Sequence, residues 1–165
     1  MKRIMLVVIQ ILLLTSAFAC ATDTVEVPKT CSQCGMDRTA FALSRMLVVY
    51  ADGARTGVCS IHCAAAEMQH NRDKEVRSLL VADYLTKELI DAKKASWVVG
   101  GKKQGVMTAL AKWAFAREED ARIFVEENGG VMDSFDQAMK SVVMEVLDQA
   151  AEERAVQIEL LRELK

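Results

Sequence analysis

The chain has 165 residues, with 21 Lys and Arg against 23 Asp and Glu and a formal net charge of −2. This length suits one compact domain or two small fused units. The slight acidic excess excludes the basic patch that a nucleic-acid-binding protein needs, so no nucleic acid is expected as a partner.

The first 19 residues have the order of a secretory signal peptide. A basic head is followed by an apolar run and by small residues ending Ala17-Phe18-Ala19 before Cys20. The apolar run is too short to cross a bilayer, which needs about 20 residues. We therefore predict a signal peptide over residues 1–19 and an exported, periplasmic or otherwise extracytoplasmic protein; a buried N-terminal helix is the alternative.

Cys20 decides how the exported chain is held. If it is the first mature residue, lipid on its thiol would anchor the domain to the membrane. Bacterial lipoproteins usually have Leu three residues before this cysteine, and Ala17 stands there. We favour the lipidated form; ordinary cleavage at the Ala-x-Ala site would leave a soluble protein instead.

The mature chain opens with a polar tether over residues 20–30, which contains the only proline. The patterning that follows predicts strands at 45–50 and 55–59 around an Asp-Gly turn, and then a helix at 61–70 with Ser60 as its N-cap. Two further strands are predicted at 78–83 and 95–99. Between them, residues 86–94 are charged and are predicted to hold a possible helical turn.

The second half repeats this order of elements. It predicts strands at 112–116 and 131–132, a helix at 118–128 between them, and a helix from Ser134 to the C-terminus. The whole pattern predicts an α+β fold of two related ββα-type units over residues 31–140, followed by a helical extension over 141–165. This extension is interpreted as a projecting tail, with a docking or dimerisation helix as the alternative.

Two close pairs of cysteines are the main functional signal. Cys31 and Cys34 lie in the run C-S-Q-C-G-M, which ends at Met36, and Cys59 and Cys63 follow after a gap of 24 residues. Thiolates and a thioether are soft ligands, which select copper(I), zinc or iron–sulfur centres over hard cations. These residues are therefore candidate metal ligands.

Three kinds of site remain open from the residues alone. The pair Cys31 and Cys34 could serve a thiol-disulfide oxidoreductase, although such pairs normally start a helix within a longer α/β pattern. The four thiols together could hold a structural zinc ion in a binding module. Copper(I) transfer is the interpretation that also uses Met36, because a thioether binds copper(I) and adds nothing to zinc.

The remaining polar residues favour no catalytic site. His62 adjoins Cys63 on the predicted helix, where neighbouring side chains point apart, so it is expected to lie at the surface. No Ser-His-Asp set, phosphate-binding loop or paired-acid site stands out in the sequence. We therefore expect the protein not to be an enzyme.

The chain resembles a known family, the nitrous oxide reductase accessory protein NosL. The resemblance is carried by C-x-x-C-G-M at 31–36, V-A-D-Y-L-T-K-E-L-I-D-A-K-K-A at 81–95, W-V-V at 97–99, A-F-A-R-E-E-D-A-R-I-F at 114–124 and G-G-V at 129–131. It implies an extracytoplasmic, often lipid-anchored, copper-binding protein built from two ββα-type units. It also implies delivery of copper(I) to a client enzyme, nitrous oxide reductase. A lipid anchor would hold such a carrier near a membrane transporter and its client.

The resemblance also implies a set of copper ligands. Cys34 and Met36 match the family's thiolate and methionine, with Cys31 as a second or exchange thiolate and Met107 as a candidate third ligand from the second unit. Cys63 is a further candidate. The chain departs from the family pattern at Thr108, where many members have glycine, and in having the additional thiol of Cys59.

Overall fold

The computed structural model describes residues 25–163, and the side chains of all of these except residues 149 and 150. The predicted signal peptide at 1–19 and the lipidation site at Cys20 lie outside the described residues. Within the described part, no helix combines the length and the apolar character that crossing a membrane requires.

Two small antiparallel sheets and three helices make up the described chain. The first unit contains β1 (Met46–Tyr50), β2 (Arg55–Val58), α1 (Ile61–His70), β3 (Val76–Ala82) and β4 (Leu89–Asp91). The second contains β5 (Ser96–Val99), β6 (Lys112–Phe115), α2 (Glu118–Asn128) and β7 (Val131–Asp133), and is followed by α3 (Phe135–Glu163).

The two units share one topology. The sheets run β2-β1-β3-β4 and β6-β5-β7, so the first strand of each unit lies between the second strand and the strand that follows the helix. Each of these pairings is antiparallel. The predicted α+β fold of two related units with a long C-terminal helix is confirmed.

Strand β4 is the main departure from the predicted elements. Residues 86–94 were expected to hold a helical turn, but Leu89–Asp91 pairs with β3, and a tight turn follows in which the Ala95 amide donates to the Asp91 carbonyl at 3.0 Å. A three-residue edge strand has too few positions to show alternation, so pairing with β3 decides its conformation.

The core of the first unit forms around β1. Every residue of this strand is buried, because β1 is flanked by β2 and β3 and its faces are covered. The thiols of Cys31, Cys59 and Cys63 belong to the same hydrophobic cluster. The cysteine pairs therefore lie against a packed core rather than on a free loop.

Asp83 ties the two units together. Its carboxylate accepts hydrogen bonds from the Ala116 amide at 2.8 Å and from the amide and hydroxyl of Thr86, both at 2.8 Å. The next residue, Tyr84, donates its amide to the Ala114 carbonyl of β6 at 2.8 Å. Burial opposes ionisation of Asp83, but these donors outweigh it and hold the pKa of its carboxyl below the ordinary value.

Helix α3 packs on the core through its first half only. Phe135, Ala138 and Val142 are buried, and Glu145 makes an ion pair with Lys112 at 2.5 Å. Residues 151–163 are exposed throughout, including the apolar side chains of Val156, Ile158, Leu160 and Leu161.

Candidate metal centre

Two of the thiols lie at the junction between β2 and α1. Cys59 follows the last residue of β2, and Ser60 is the N-cap of α1 in an extended conformation, which makes the chain turn sharply into the helix. Cys63 then falls in the first turn of α1. Both cysteines are buried, at 0% and 2% exposure, so their thiols face the interior.

The other pair lies in a closed turn that precedes β1. The Cys31 amide donates to the Met36 carbonyl at 2.8 Å, and the Gly35 amide donates to the Cys31 carbonyl at 3.0 Å. Gly35 has a φ of 75°, the left-handed region that glycine adopts without steric cost. A bridge between Thr30 and Asp37 closes the base of this turn. We call residues 31–36 the C-x-x-C turn.

A backbone contact and a buried arginine attach the C-x-x-C turn to β2. The Ser32 amide donates to the Gly57 carbonyl at 3.1 Å. Arg38, which is fully buried, donates to the carbonyls of Val58 and Met46, both at 3.1 Å, and forms an ion pair with Glu26. A buried guanidinium needs such acceptors, and they fix the end of the turn against the sheet.

These elements bring four sulfur atoms together. The Sγ atoms of Cys31, Cys34, Cys59 and Cys63 all lie within 4.8 Å of one another. Cys59 is close to the other pair and to its own partner, with Sγ–Sγ distances of 3.5 Å to Cys34 and 3.7 Å to Cys63. Metal–thiolate bonds of about 2.3 Å can place two ligands of one ion up to about 4.6 Å apart. The cluster therefore fits a single soft ion with little movement.

Met36 adds a fifth sulfur beside this cluster. Its thioether Sδ lies 4.0 Å from the Cys59 Sγ, and the side chain is half-buried against the core. The left-handed turn at Gly35 places Cys34 and Met36 on the same side of the chain, because both sulfurs approach Cys59.

The thiols are reduced, and their proton affinities differ widely. The four cysteines that the structure describes are free. A hydrogen bond from Cys63, supported by Cys34 and Ser60, outweighs burial and lowers the pKa of the Cys59 thiol to about 5. Burial raises the pKa of Cys34 to about 11, and the hydrogen bond to Cys59 raises that of Cys63 above its ordinary value. The negative charge of the metal-free cluster therefore rests on Cys59.

Cys34 is the solvent-accessible member of this cluster. It is exposed, whereas Cys31, Cys59 and Cys63 are buried. The cluster thus has a closed inner side and one accessible ligand, an arrangement in which an incoming ligand can replace Cys34 first.

Met107, a candidate ligand from the sequence, and His62, which was expected at the surface, are not among the four grouped thiols. Met107 is in the loop between β5 and β6, 39% exposed and with a φ of 60°. The expected surface position of His62 is wrong: the residue is half-buried next to Cys63, because it lies in the first turn of α1 against the core. Its Nδ1 is buried without a hydrogen-bond partner among the described residues. Cys59, which the family pattern does not explain, instead lies close to Cys34, Cys63 and Met36.

Comparison with known proteins identifies the chain's relatives. The family model described as NosL matches residues 22–143, which is most of the chain. The chain belongs to the NosL family. This family is non-enzymatic, so the expectation that the protein is not an enzyme is confirmed.

A solved structure supports the NosL fold of the chain. The chain is similar to the crystal structure of the copper chaperone NosL from Shewanella denitrificans, with a TM-score of 0.55 and 20% sequence identity. The similarity covers 68% of this chain and 91% of that one. At this identity the likeness establishes the fold. A search of the curated proteins finds no match.

Proposed function

We propose that this NosL-family protein is an exported copper(I) metallochaperone. The observation that carries the proposal is the group of four reduced thiols with one exposed member, Cys34, and the thioether of Met36 beside it. An all-sulfur donor set favours a soft monovalent ion, and a thioether distinguishes copper(I) from zinc.

Release would proceed by ligand exchange without covalent chemistry. Copper(I) is stable with few ligands, so a partner's thiolate or imidazole can bind the ion while one protein ligand leaves. Cys34 is the natural leaving ligand because it is exposed and because its raised pKa favours reprotonation once the metal departs. Cys59 and Cys63 would hold the ion from the inner side until transfer is complete.

The proposed partners follow from family membership and from the N-terminal sequence. The client is an extracytoplasmic copper enzyme such as nitrous oxide reductase, and a membrane transporter is the proposed source of the ion. A lipid on Cys20 would keep the chaperone close to both by anchoring it to the membrane. Met107 is proposed as a ligand contributed by the second unit, and Cys31 as an exchange ligand.

A zinc-stabilised binding module is the second candidate, because four thiols within 4.8 Å also suit a closed tetrahedral zinc site. Native mass spectrometry of the reduced mature protein, titrated with copper(I) and with zinc, separates the two. We expect copper(I) to bind more tightly than micromolar, and Met36→Leu to weaken copper(I) binding while leaving zinc binding unchanged. Weak copper(I) binding, or unfolding when zinc is chelated, would support the zinc module instead.

A further inference from the structure

A buried carboxylate lies one helical turn beyond the cysteine cluster. Glu67 is 5% exposed and follows Cys63 by four residues on α1, so both side chains point to the same buried face. Its Oε1 accepts hydrogen bonds from the Tyr50 hydroxyl at 2.8 Å and from Asn71 Nδ2 at 3.0 Å. Burying a carboxylate is costly unless donors surround it, and here they do.

The third donor to Glu67 comes from the C-x-x-C turn itself. Gln33, which lies between Cys31 and Cys34, donates its Nε2 to Glu67 Oε2 at 2.6 Å. The carbonyl oxygen of the same amide lies 3.0 Å from His70 Nδ1, near the end of α1. One amide therefore joins the turn to two positions on the helix that also carries Cys63.

We propose that Glu67 acts through Gln33 as a positioning residue for the metal cluster and thereby sets the rate of metal release. The proposal rests on the proposed metal-carrying function. Cys31 and Cys34 belong to the turn, whereas Cys59 and Cys63 belong to the junction of β2 and α1. The spacing between the two thiol pairs consequently depends on how firmly the turn is held against α1.

Other contacts hold the turn elsewhere. Its internal hydrogen bonds shape it, and the Ser32 amide binds β2 through Gly57. Besides the thiols themselves, the amide of Gln33 is a side-chain link from the turn to α1, at the edge where Cys34 is exposed. Loss of this link lets the Cys34 end of the turn separate from the helix, which shortens the time that the ion is held by both thiol pairs.

The test compares Gln33→Ala with Ser32→Ala as a matched control from the same turn, since the Ser32 side chain is exposed. Each reduced protein is loaded with copper(I), and transfer to an excess of a chromophoric copper(I) chelator is timed. We expect Gln33→Ala to release copper(I) at least about tenfold faster than wild type, the lower end of what one lost hydrogen bond to a charged acceptor produces. We expect Ser32→Ala to match wild type.

Glu67→Gln provides a second variant that keeps the shape of the side chain. Its carbonyl can still accept from Tyr50, and its amide can donate to Gln33 after the Gln33 amide turns over, so release should fall between wild type and Gln33→Ala. The unfolding temperature of each metal-free protein is measured as well, because a purely structural role would lower this temperature without changing the rate of metal release. We expect Gln33→Ala to lower the unfolding temperature by a few degrees, because Glu67 Oε2 loses its donor in the metal-free protein too. The faster release of copper(I), and not this loss of stability, carries the positioning role.

Equal release rates in wild type, Gln33→Ala and Glu67→Gln would overturn the positioning role, as would a loss of metal-free stability with no change in release. The same rates are measured with zinc and a zinc chelator. Failure of wild type to bind copper(I) would contradict the copper chaperone, while the zinc rates would still decide whether Gln33 and Glu67 position the thiols.

Discussion

Replacing Cys63 with alanine should move the charge of the metal-free cluster. The hydrogen bond from Cys63 is the largest cause of the low pKa of Cys59, whereas burial of Cys59 acts in the opposite direction. Cys63→Ala removes the donor and leaves the burial. The pKa of Cys59 should therefore rise from about 5 towards or beyond the ordinary thiol value of 9.0.

The size of the effect follows from these two pKa values. At pH 7 a thiol with a pKa of about 5 is ~99% ionised, whereas one with the ordinary value of 9.0 is ~1% ionised. The metal-free wild type should thus carry close to one thiolate per molecule at neutral pH, and Cys63→Ala should carry much less. Because only thiolates bind metal, Cys59 must lose a proton when the variant takes up a soft ion, whereas in wild type this thiol is already ionised.

The assay is the ultraviolet absorbance of thiolate, recorded while the reduced, metal-free protein is titrated from acid to alkaline pH. Cys63→Ser is the matched control, because its hydroxyl can still donate to the Cys59 thiolate and should preserve an acidic transition. A wild-type protein without thiolate at pH 7, or a Cys63→Ala titration identical to wild type, would refute this reasoning.

Three further predictions concern the frame that holds the cluster. A Cβ added at Gly57 would lie 2.5 Å from Arg38 Nη1, so Gly57→Ala should displace the guanidinium and lower the free energy of unfolding by about 2–4 kcal/mol, measured by urea denaturation. Gly35→Ala should cost about 1 kcal/mol in the same assay, from its left-handed φ alone, since open space surrounds the site. Asp83→Asn should lower the free energy of unfolding near pH 7 by about 2 kcal/mol. This difference should shrink as pH falls through the depressed folded pKa of Asp83, because protonation removes the stabilisation by the carboxylate from the wild type as well. A difference that does not depend on pH would contradict the assigned role of the carboxylate.

The sequence predicts most of the fold because its signals are local. The Asp52-Gly53 turn between two apolar runs predicts the β1–β2 hairpin, and the predicted helices over 61–70 and 118–128 coincide with α1 and α2. Strand β4 was missed because its conformation depends on pairing with β3 and not on its own three residues.

The candidate site was harder to predict, because its geometry arises from contacts between distant residues. The spacing of Cys59 and Cys63 indicated a possible ligand pair, but only the β2–α1 junction shows that Cys59 approaches both Cys34 and Met36. The buried Arg38 and the link from Gln33 to Glu67 gave no sequence signal, since a single charged or amide residue in a polar stretch is usually solvated.

The central claim is that copper(I) is bound by the sulfur atoms of the C-x-x-C turn and the β2–α1 junction together. Copper X-ray absorption spectroscopy of the reduced, copper(I)-loaded protein tests it most directly. The account predicts a ligand shell of sulfur alone that changes when Cys59 and Cys63 are replaced by serine. Nitrogen or oxygen ligands in the wild type, or a spectrum that those replacements leave unaltered, would contradict it.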